Sequence, residues 1–485
     1  MLFRPALDMA LEAMKQERWD DALKVLNGML AEKLDDPWLL FLTGTCHMFK
    51  ENDGVAFALL MRAMERKQDF FECMVNLASI LRRKGMWREE ELLWKEVQRI
   101  SPDDPRALHN LAGLYLNNAT PQIAEQYARK NIAVEGDRPD NLIQLGLALL
   151  EQEKWGNGFD ALDSALKLGE RKSRNFWGLG QTPMWDGTPG LNVMVYGEQG
   201  HGDEIMFASC MNEAISRCKR VYVDTCKGNM VALLERSFPE AVVISTPDSQ
   251  LRRLHTDLKI DAMVAFGSLP TLFRREESDF PRHKGYLKAS PAKSAMVRGM
   301  LDELGPRPKI GIAWRGGIPR TQSYLRHVPI EAWSPILKQD ADFISVQYTK
   351  DAEDEASFQE DRTGVRLHHW QGIVDDFDML TALIGELDLV ISVPQTAVHQ
   401  RAALGKECWV IAHHKAPWPF GLTRDSMVWY PEQTRIFRRA ENDENYNPVV
   451  LRVAQALSKR FTKSSVDPFI PVPAQAETFE LVGVR

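Results

Sequence analysis

The 485-residue chain has few cysteines, no long apolar run and no excess of positive charge. Its six cysteines are Cys46, Cys73, Cys210, Cys218, Cys226 and Cys408, and none forms a C-x-x-C pair. Cys210, Cys218 and Cys226 are eight apart, but no histidine lies among them at ligand spacing. This usage excludes a zinc knuckle and a disulfide frame, and it predicts reduced, mostly buried thiols. No stretch approaches the ~20 apolar residues of a membrane span. The start, Met1-Leu2-Phe3-Arg4-Pro5, lacks a charged segment followed by an apolar one, so the expected compartment is the cytoplasm. Sixty Lys and Arg against 67 Asp and Glu give a net charge of −7, which argues against a nucleic-acid partner, since that needs a basic face. The imbalance is too small for disorder. Hydrophobic content of 44% and charged content of 26% are those of an ordinary folded protein, and the length predicts about two to four domains.

What is present in the first third is a period of 34. Ala22 is followed at that spacing by Ala56, Glu90, Ala124 and Gly158, all small except Glu90. Leu40, Met74, Leu108 and Leu142 share the spacing, as do the small residues Gly44, Ala78, Ala112 and Gly146. Leu81, Tyr115 and Leu149 fill the matching large positions. This large/small pattern at 34 residues is the tetratricopeptide (TPR) signature and predicts five helix pairs over residues 3–172, the first imperfect. Such pairs stack into a superhelix with a concave groove.

Two residues before each small crossing residue stand Asn76, Asn110 and Gln144, while the second repeat has Leu42. An amide both donates and accepts, so a row of them can hold a peptide backbone. The alternative is a solvated polar face, and both readings stay open. On these residues the array resembles the repeats of O-linked N-acetylglucosamine transferases. There, a ladder of groove asparagines holds the acceptor polypeptide.

After Leu168 the helical pattern stops. A turn-rich linker carries three glycines near Pro183 and Pro189, with Trp185 placed to plug it against a neighbour. From Leu191 short apolar runs alternate with helical stretches. Strands are predicted at 191–196, 220–224, 241–245 and 262–266, then at 309–314, 342–347, 364–368, 388–393 and 407–412. Helices are predicted at Phe377 to Glu386 and Thr396 to Leu404. Alternation of this kind implies parallel sheets covered on both faces. Two series imply two Rossmann-like lobes. The domains are then 1–172 (superhelix), 173–190 (linker), 191–305 and 306–461 (α/β lobes) and 462–485 (tail, with Pro468, Pro471 and Pro473).

Three stretches carry candidate chemistry. Gly197-Glu198-Gln199-Gly200-His201-Gly202-Asp203 links a strand to a helix, and its glycines allow a tight turn and a close ligand approach. Asp203 reads either as a helix N-cap or as a catalytic base facing a cleft. The strand from Lys309 ends in Arg315-Gly316-Gly317, with Arg320 and Arg326 following, and arginines at a strand end suit phosphate. The strand from Asp388 leads into Pro394-Gln395-Thr396-Ala397-Val398-His399. A helix starting near Thr396 aims its free N–H groups and its positive dipole end at the strand ends. Ser392, Gln395, Thr396 and His399 are placed there to hold a diphosphate or a ribose. The clusters Trp418-Pro419-Phe420 and Trp429-Tyr430-Pro431 read as packing. The triplets Asp340-Ala341-Asp342 and Asp376-Phe377-Asp378 precede a strand and open a helix, so neither is placed as a metal-binding pair.

In order and spacing these stretches, with Asp388 to Lys406 and Trp429 to Arg438, resemble the heptosyltransferase-like (glycosyltransferase family 9-like) enzymes, in the subgroup where a TPR array precedes the catalytic part. The resemblance covers all but the tail. It implies a GT-B fold, an acceptor side in the first lobe and a nucleotide-sugar side in the second, and inverting transfer without metal or other cofactor. It places the general base on Asp203 and donor-phosphate contact on Arg326, with Ser392, Thr396 and His399 in the strand-to-helix motif. The chain departs from the family pattern at Pro394-Gln395 (usually Asp-Thr), at Ser323 (usually Asp) and at His201 (usually Leu), which bears on the donor's identity.

The expected activity is therefore transfer of a sugar from a nucleotide sugar to an acceptor hydroxyl, the acceptor being a protein or peptide on the repeat groove. Flagellin-modifying transferases of this layout give one instance. Two alternatives stay open. A non-catalytic TPR adaptor with a degenerate α/β part is favoured by Pro394-Gln395 and disfavoured by Gly202-Asp203 and the arginines. A nucleotide-sugar epimerase shares the two-lobed fold but has no evident need of repeats.

Overall fold

The computed structural model describes residues 3–168, 182–225, 227–245, 258–317 and 323–461. Residues 173–181 of the linker, Cys226, Arg320 and the tail lie outside them. The chain divides into two compact units, Met1–Gln152 with Asp160–Arg171, and Glu153–Phe159 with Lys172–Arg485.

The first unit is built from helix pairs. The helices are α1 (Phe3–Lys15), α2 (Trp19–Glu32), α3 (Pro37–Phe49), α4 (Asp53–Arg66), α5 (Phe71–Arg83), α6 (Trp87–Ile100), α7 (Pro105–Asn117), α8 (Pro121–Glu135), α9 (Pro139–Glu151) and α10 (Trp155–Lys167). Every odd-numbered helix starts 34 residues after the previous odd one, and the even ones keep the same interval. These are TPR-like helical repeats. Local chemistry starts them: Asp36 and Asp104 accept from the first free N–H groups of α3 and α7, with proline in the first turn of each. Packing then holds them. A Cβ on Gly44 would lie 2.9 Å from Leu60 Cγ and 3.3 Å from the Ala56 carbonyl oxygen, so the two small positions mark the crossing of α3 and α4. Ala22, Ala56 and Ala124 are fully buried. Glu90, the exception in that register, is buried too, because Arg82 Nε (2.8 Å) and Trp94 Nε1 (3.2 Å) donate to its carboxylate.

The turn inside each pair holds a left-handed residue, also every 34: Glu17 (φ 56°), Glu51 (60°), Gly85 (69°), Ala119 (54°) and Glu153 (61°). Only one of the five is glycine, so this feature is invisible to a search for turn residues.

The second unit contains two parallel sheets. The first has strands β1 (Asn192–Tyr196), β2 (Arg220–Asp224), β3 (Val242–Ile244) and β4 (Ala262–Ala265) in the order β3-β2-β1-β4. The second has β5 (Lys309–Ala313), β6 (Asp342–Ser345), β7 (Leu367–His368), β8 (Leu389–Ser392), β9 (Cys408–Ala412) and β10 (Thr434–Arg438) in the order β10-β9-β8-β5-β6-β7. Counted from its own first strand, the second sheet runs 3-2-1-4-5-6, the doubly wound order. β5, β8 and β9 are continuous apolar runs, as strands buried on both faces require. β10 was not legible: Thr434-Arg435-Ile436-Phe437-Arg438 mixes charge with apolar residues because it is an edge strand. Its Phe437 and the Val449, Val453 and Leu457 face of the helix Asn447–Phe461 join Ile310, Ile312 and Ile391 in one core.

Placed by sequence in the first lobe (191–305), the helix Pro291–Asp302 packs on Phe377–Glu386 beside the second sheet, through Lys293–Asp376 (2.8 Å) and Arg298–Glu386 (2.8 Å). Just before it the chain is pinned. Tyr286 and Leu287 N–H both donate to the Ala403 carbonyl (2.8 and 3.0 Å). A Cβ on Gly405 (φ +75°) would lie 2.0 Å from the Lys284 carbonyl oxygen, and one on Gly285 (φ +103°) 2.7 Å from Gly405 N. Trp185 is buried 6.0 Å from the Phe273 ring and donates to the Thr188 carbonyl.

Both acidic triplets are structural. Asp342 pairs with Lys309 and Arg307, and Asp376 caps Phe377–Glu386. Among the described residues no three His, Cys, Asp or Glu side chains lie together as a metal would need, and no helix is long and apolar enough to cross a membrane. Cys46, Cys73, Cys210 and Cys408 are buried and Cys218 partly so, all as free thiols.

Candidate functional site

In an open parallel sheet, ligands bind beyond the carboxyl ends of the strands where the strand order reverses. In the second unit those points are β1/β4 and β5/β8, and the glycine turn with Asp203, Arg315, Arg326, Ser392, Gln395, Thr396 and His399 lie at one of them or just beyond.

At β1 the chain leaves Tyr196, turns through Gly197–Gly200 and enters the helix α11 (His201–Phe207). Gly200, not Asp203, is the N-cap; Asp203 is the third helical residue and its Oδ2 accepts from Gly200 N–H (3.3 Å). β4 closes on the same turn: a Cβ on Gly267 would lie 2.5 Å from Glu198 Oε1 and from Gln199 Nε2, and Gly267 N–H donates to Glu198. His201 Nε2 lies 3.0 Å from Asn229 Oδ1, its ring 4.9 Å from that of Phe377, and burial holds its pKa below the usual range.

At β5 the chain reaches Arg315, whose Nη2 donates to Thr349 Oγ1 (2.9 Å) and lies 3.1 Å from carboxylate oxygens of both Asp351 and Glu355. Arg315 is thus engaged within its own sheet's loops. The next residue, Gly316, donates to the Arg326 carbonyl (2.9 Å), which sets Arg326 beside the end of β5. A Cβ on Gly316 would lie 2.7 Å from Gln395 Cβ and 3.0 Å from the Pro394 carbonyl oxygen, so β5 and β8 meet here without space between them.

At β8, Ser392 Oγ donates to the Val393 carbonyl and accepts from Gln395 Nε2 (3.3 Å). Gln395 is 5% exposed and its Oε1 is buried without a hydrogen-bond partner. The helix Thr396–Ala403 follows. His399, on its first turn, is buried, and burial with the nearby Arg326 guanidinium lowers its pKa to about 3, so the imidazole is neutral. Its Nδ1 lies 3.4 Å from the Tyr430 hydroxyl, which is 3.0 Å from that of Tyr286; Tyr286 in turn donates to the Ile205 carbonyl (2.7 Å).

The two reversal points meet. A Cβ on Gly202 would lie 3.1 Å from His399 Cδ2 and 3.5 Å from Thr396 Oγ1. Burial holds the Arg326 pKa below its ordinary value, and the nearby Asp203 and Tyr348 act against that; its Nε is buried without a hydrogen-bond partner. The structure therefore brings Gly200, His201, Gly202 and Asp203 together with Arg326, Thr396 and His399, backs them with Ser392 and Gln395, and turns Arg315 to Asp351 and Glu355. Tyr348 and Tyr286 were missed. Tyr348 was findable, since it follows the carboxyl end of β6. Tyr286 was not, since its partners come from distant parts of the chain.

The amides of the first unit bond to their own array. Asn76 Nδ2 donates to Thr45 Oγ1 (2.8 Å), Asn110 Oδ1 accepts from Arg82 (3.0 Å), and Gln144 Nε2 donates to the His109 carbonyl (3.0 Å). Each partner lies in the preceding repeat, so the amides stitch successive pairs together.

No family model matches the chain. Among curated proteins, Protein FlbA of Caulobacter vibrioides is 26% identical over 387 residues, which cover 76% of this chain and 63% of that protein. The chain thus spans less than two thirds of the length of the curated relative it matches. Among solved structures, similar ones include MamA (residues 41 to the end) of Desulfovibrio magneticus RS-1, at 12% identity and a TM-score of 0.33 over 35% of this chain and 96% of that one. YrrB, described as a TPR protein with an unusual peptide-binding site, is 12% identical with a TM-score of 0.28 over 30% of this chain and 76% of its own. TTC0263 of Thermus thermophilus, a thermophilic TPR protein, is 17% identical with a TM-score of 0.29, over 35% and 92%.

Proposed function

We propose that the second unit is an inverting glycosyltransferase of GT-B architecture that takes its sugar from a nucleotide-sugar donor in the cytoplasm. The observation that carries this reading is the meeting of Asp203, from the first sheet's reversal point, with Arg326 and the Thr396–Ala403 helix from the second's. Asp203 takes the proton of the acceptor hydroxyl as that oxygen attacks the anomeric carbon. The bond from that carbon to the phosphate oxygen breaks, with the electron pair leaving on the diphosphate. Arg326 and the free N–H groups at the start of the helix receive that charge. In this reading they fill the role for which other transferases use a metal, and no cofactor is required. The acceptor is a protein, since stacked helical repeats offer an extended surface suited to one.

A non-catalytic adaptor is the second reading. The engagement of Arg315 with Asp351 and Glu355 favours it, because it removes one phosphate ligand.

The deciding experiment is thermal denaturation with a panel of nucleoside diphosphates, CMP and their sugars, on wild type and Arg326→Ala. A ligand that binds only the folded state raises the melting temperature, by ~2.7 kcal/mol of stabilisation at a hundredfold excess over Kd. A shift with one nucleotide, lost in Arg326→Ala, supports the donor site. Asp203→Asn should then lower transfer by about 10²–10⁴-fold while nucleotide binding persists. No shift with any ligand in a folded sample overturns the transferase in favour of the adaptor.

A further inference from the structure

A second basic cluster lies at the carboxyl ends of β9 and β10, apart from the residues assigned above. β9 ends at Ala412 and runs into His413-His414-Lys415; β10 ends at Arg438, paired with Ala412, and runs into Arg439. Arg438 has a structural role: its guanidinium donates to the carbonyls of His413 (3.2 Å), Phe420 (3.1 Å) and Arg424 (3.3 Å), clamping the loop after β9 onto β10. Three atoms around it have no such use. His414 Nδ1, Arg439 Nε and the Tyr446 hydroxyl are all buried without a hydrogen-bond partner. The His413 and His414 rings are 4.2 Å apart, and Tyr446 has His413 at 6.3 Å and the Arg439 guanidinium at 5.4 Å from its ring. Lys415 N–H donates to His413 Nδ1 (3.1 Å), so in the neutral ring the proton sits on Nε2, which is a donor. The helix Asn447–Phe461 begins directly after Tyr446, with its positive dipole end at the cluster.

Three unsatisfied buried polar atoms in one place are unusual in a folded chain and call for a ligand or ordered solvent. Most groups here are donors; of the carboxylates in the loop after β10, Glu441 lies near His414 and Lys415, and Asp443 accepts from Ala440 N–H. Burial, and to a lesser degree the neighbouring positive charges, hold His413, His414 and Lys415 below their ordinary pKa values; an anion offsets the repulsion.

We propose that His413, His414, Arg439 and Tyr446 form a binding site for a small-molecule oxyanion, a phosphate or carboxylate group. It sits one and two strands along from β8, roughly 5–10 Å at the usual strand spacing. The oxyanion is either a free ion or an acidic group on the ligand held at the β5/β8 reversal point.

The test is titration calorimetry of the full chain with inorganic phosphate, and separately with glucuronate, at ionic strength held constant with sodium chloride. Wild type, Arg439→Gln, Tyr446→Phe and Arg326→Ala are compared. The expected result is binding of at least one probe by wild type, weakened tenfold or more by Arg439→Gln and about threefold by Tyr446→Phe, and still present in Arg326→Ala, where only a separate event at the donor site is lost. Tyr446→Phe removes one oxygen and keeps the packing, so it decides the matter if Arg439→Gln does not fold. Phosphate alone names a phosphoryl group; glucuronate binding names an acidic sugar. Absence of binding in wild type overturns the site, as does binding lost in Arg326→Ala but kept in Arg439→Gln and Tyr446→Phe. A failure of the transferase reading leaves this site untouched, because the Arg326 variant separates the two.

Discussion

The two units use the left-handed backbone region in opposite ways. In the helical repeats it recurs every 34 residues and is filled by Glu, Glu, Gly, Ala and Glu, with nothing within 4 Å of a Cβ built on the one glycine, Gly85. In the α/β unit, Gly285 and Gly405 cross backbone to backbone, and a Cβ on Gly405 would sit 2.0 Å from a carbonyl oxygen. The first is a conformational demand in open space, which a non-glycine residue meets at a cost of about 1–2 kcal/mol. The second is a steric demand that only glycine meets. A left-handed turn therefore does not by itself require glycine, whereas the backbone crossing of Gly285 and Gly405, left-handed as well, does.

The contrast can be broken by substitution. Gly405→Val should have the largest effect, about 3 kcal/mol or more of destabilisation, seen as loss of the α/β unit's transition in calorimetry. A folded Gly405→Val protein with unchanged melting would refute the crossing. Gly316→Ala comes next. Its methyl presses on Gln395 and Pro394, so about 1–3 kcal/mol of strain falls on the β5/β8 reversal point, and nucleotide affinity should drop tenfold or more.

Glu151→Gln tests whether the repeat unit's tolerance extends to charge. Burial raises the Glu151 pKa to about 8, and its Oε2 has no hydrogen-bond partner. The folded state therefore holds a proton that the unfolded state releases near 4.5, so stability falls as pH rises from 4.5 to 8. The glutamine variant should lose that slope and melt higher at pH 8 by about 1–2 kcal/mol; identical pH profiles would remove the premise. The smallest effect belongs to Ala119→Gly, where relief of strain slightly exceeds glycine's entropy cost, for ~0.5 kcal/mol of stabilisation. A destabilised Ala119→Gly would show that the alanine side chain matters there.

The same contrast explains what could be read in advance. The repeats announce themselves because each position is sampled five times, so that Glu90 stands out as an exception and not as noise. The strands of both sheets were legible as apolar runs, except β10, whose edge position permits arginines. At the site, Asp203, Thr396 and His399 could be placed beyond strand ends by alternation, whereas Arg326 stood out by its clustering with Arg315 and Arg320 and by the family resemblance. Their convergence was not legible, since it depends on Gly202 lying against Thr396 and His399, a contact across almost two hundred residues of chain. That Arg315 turns to Asp351 and Glu355 was equally hidden: strand-end position says where an arginine starts, not which carboxylate it finds.

The tyrosine pair behind the site fixes a direction. The Ile205 carbonyl can only accept, so the Tyr286 hydroxyl donates its hydrogen bond there; Tyr286 then accepts from Tyr430, and Tyr430 presents its oxygen to His399 Nδ1. The neutral His399 must carry its hydrogen on Nδ1, which leaves a lone pair on Nε2. A ring wired in that sense cannot donate to phosphate from Nε2. It can take a hydrogen bond from a hydroxyl, so under the proposed transferase reading His399 is suited to a ribose or sugar hydroxyl and not to the diphosphate.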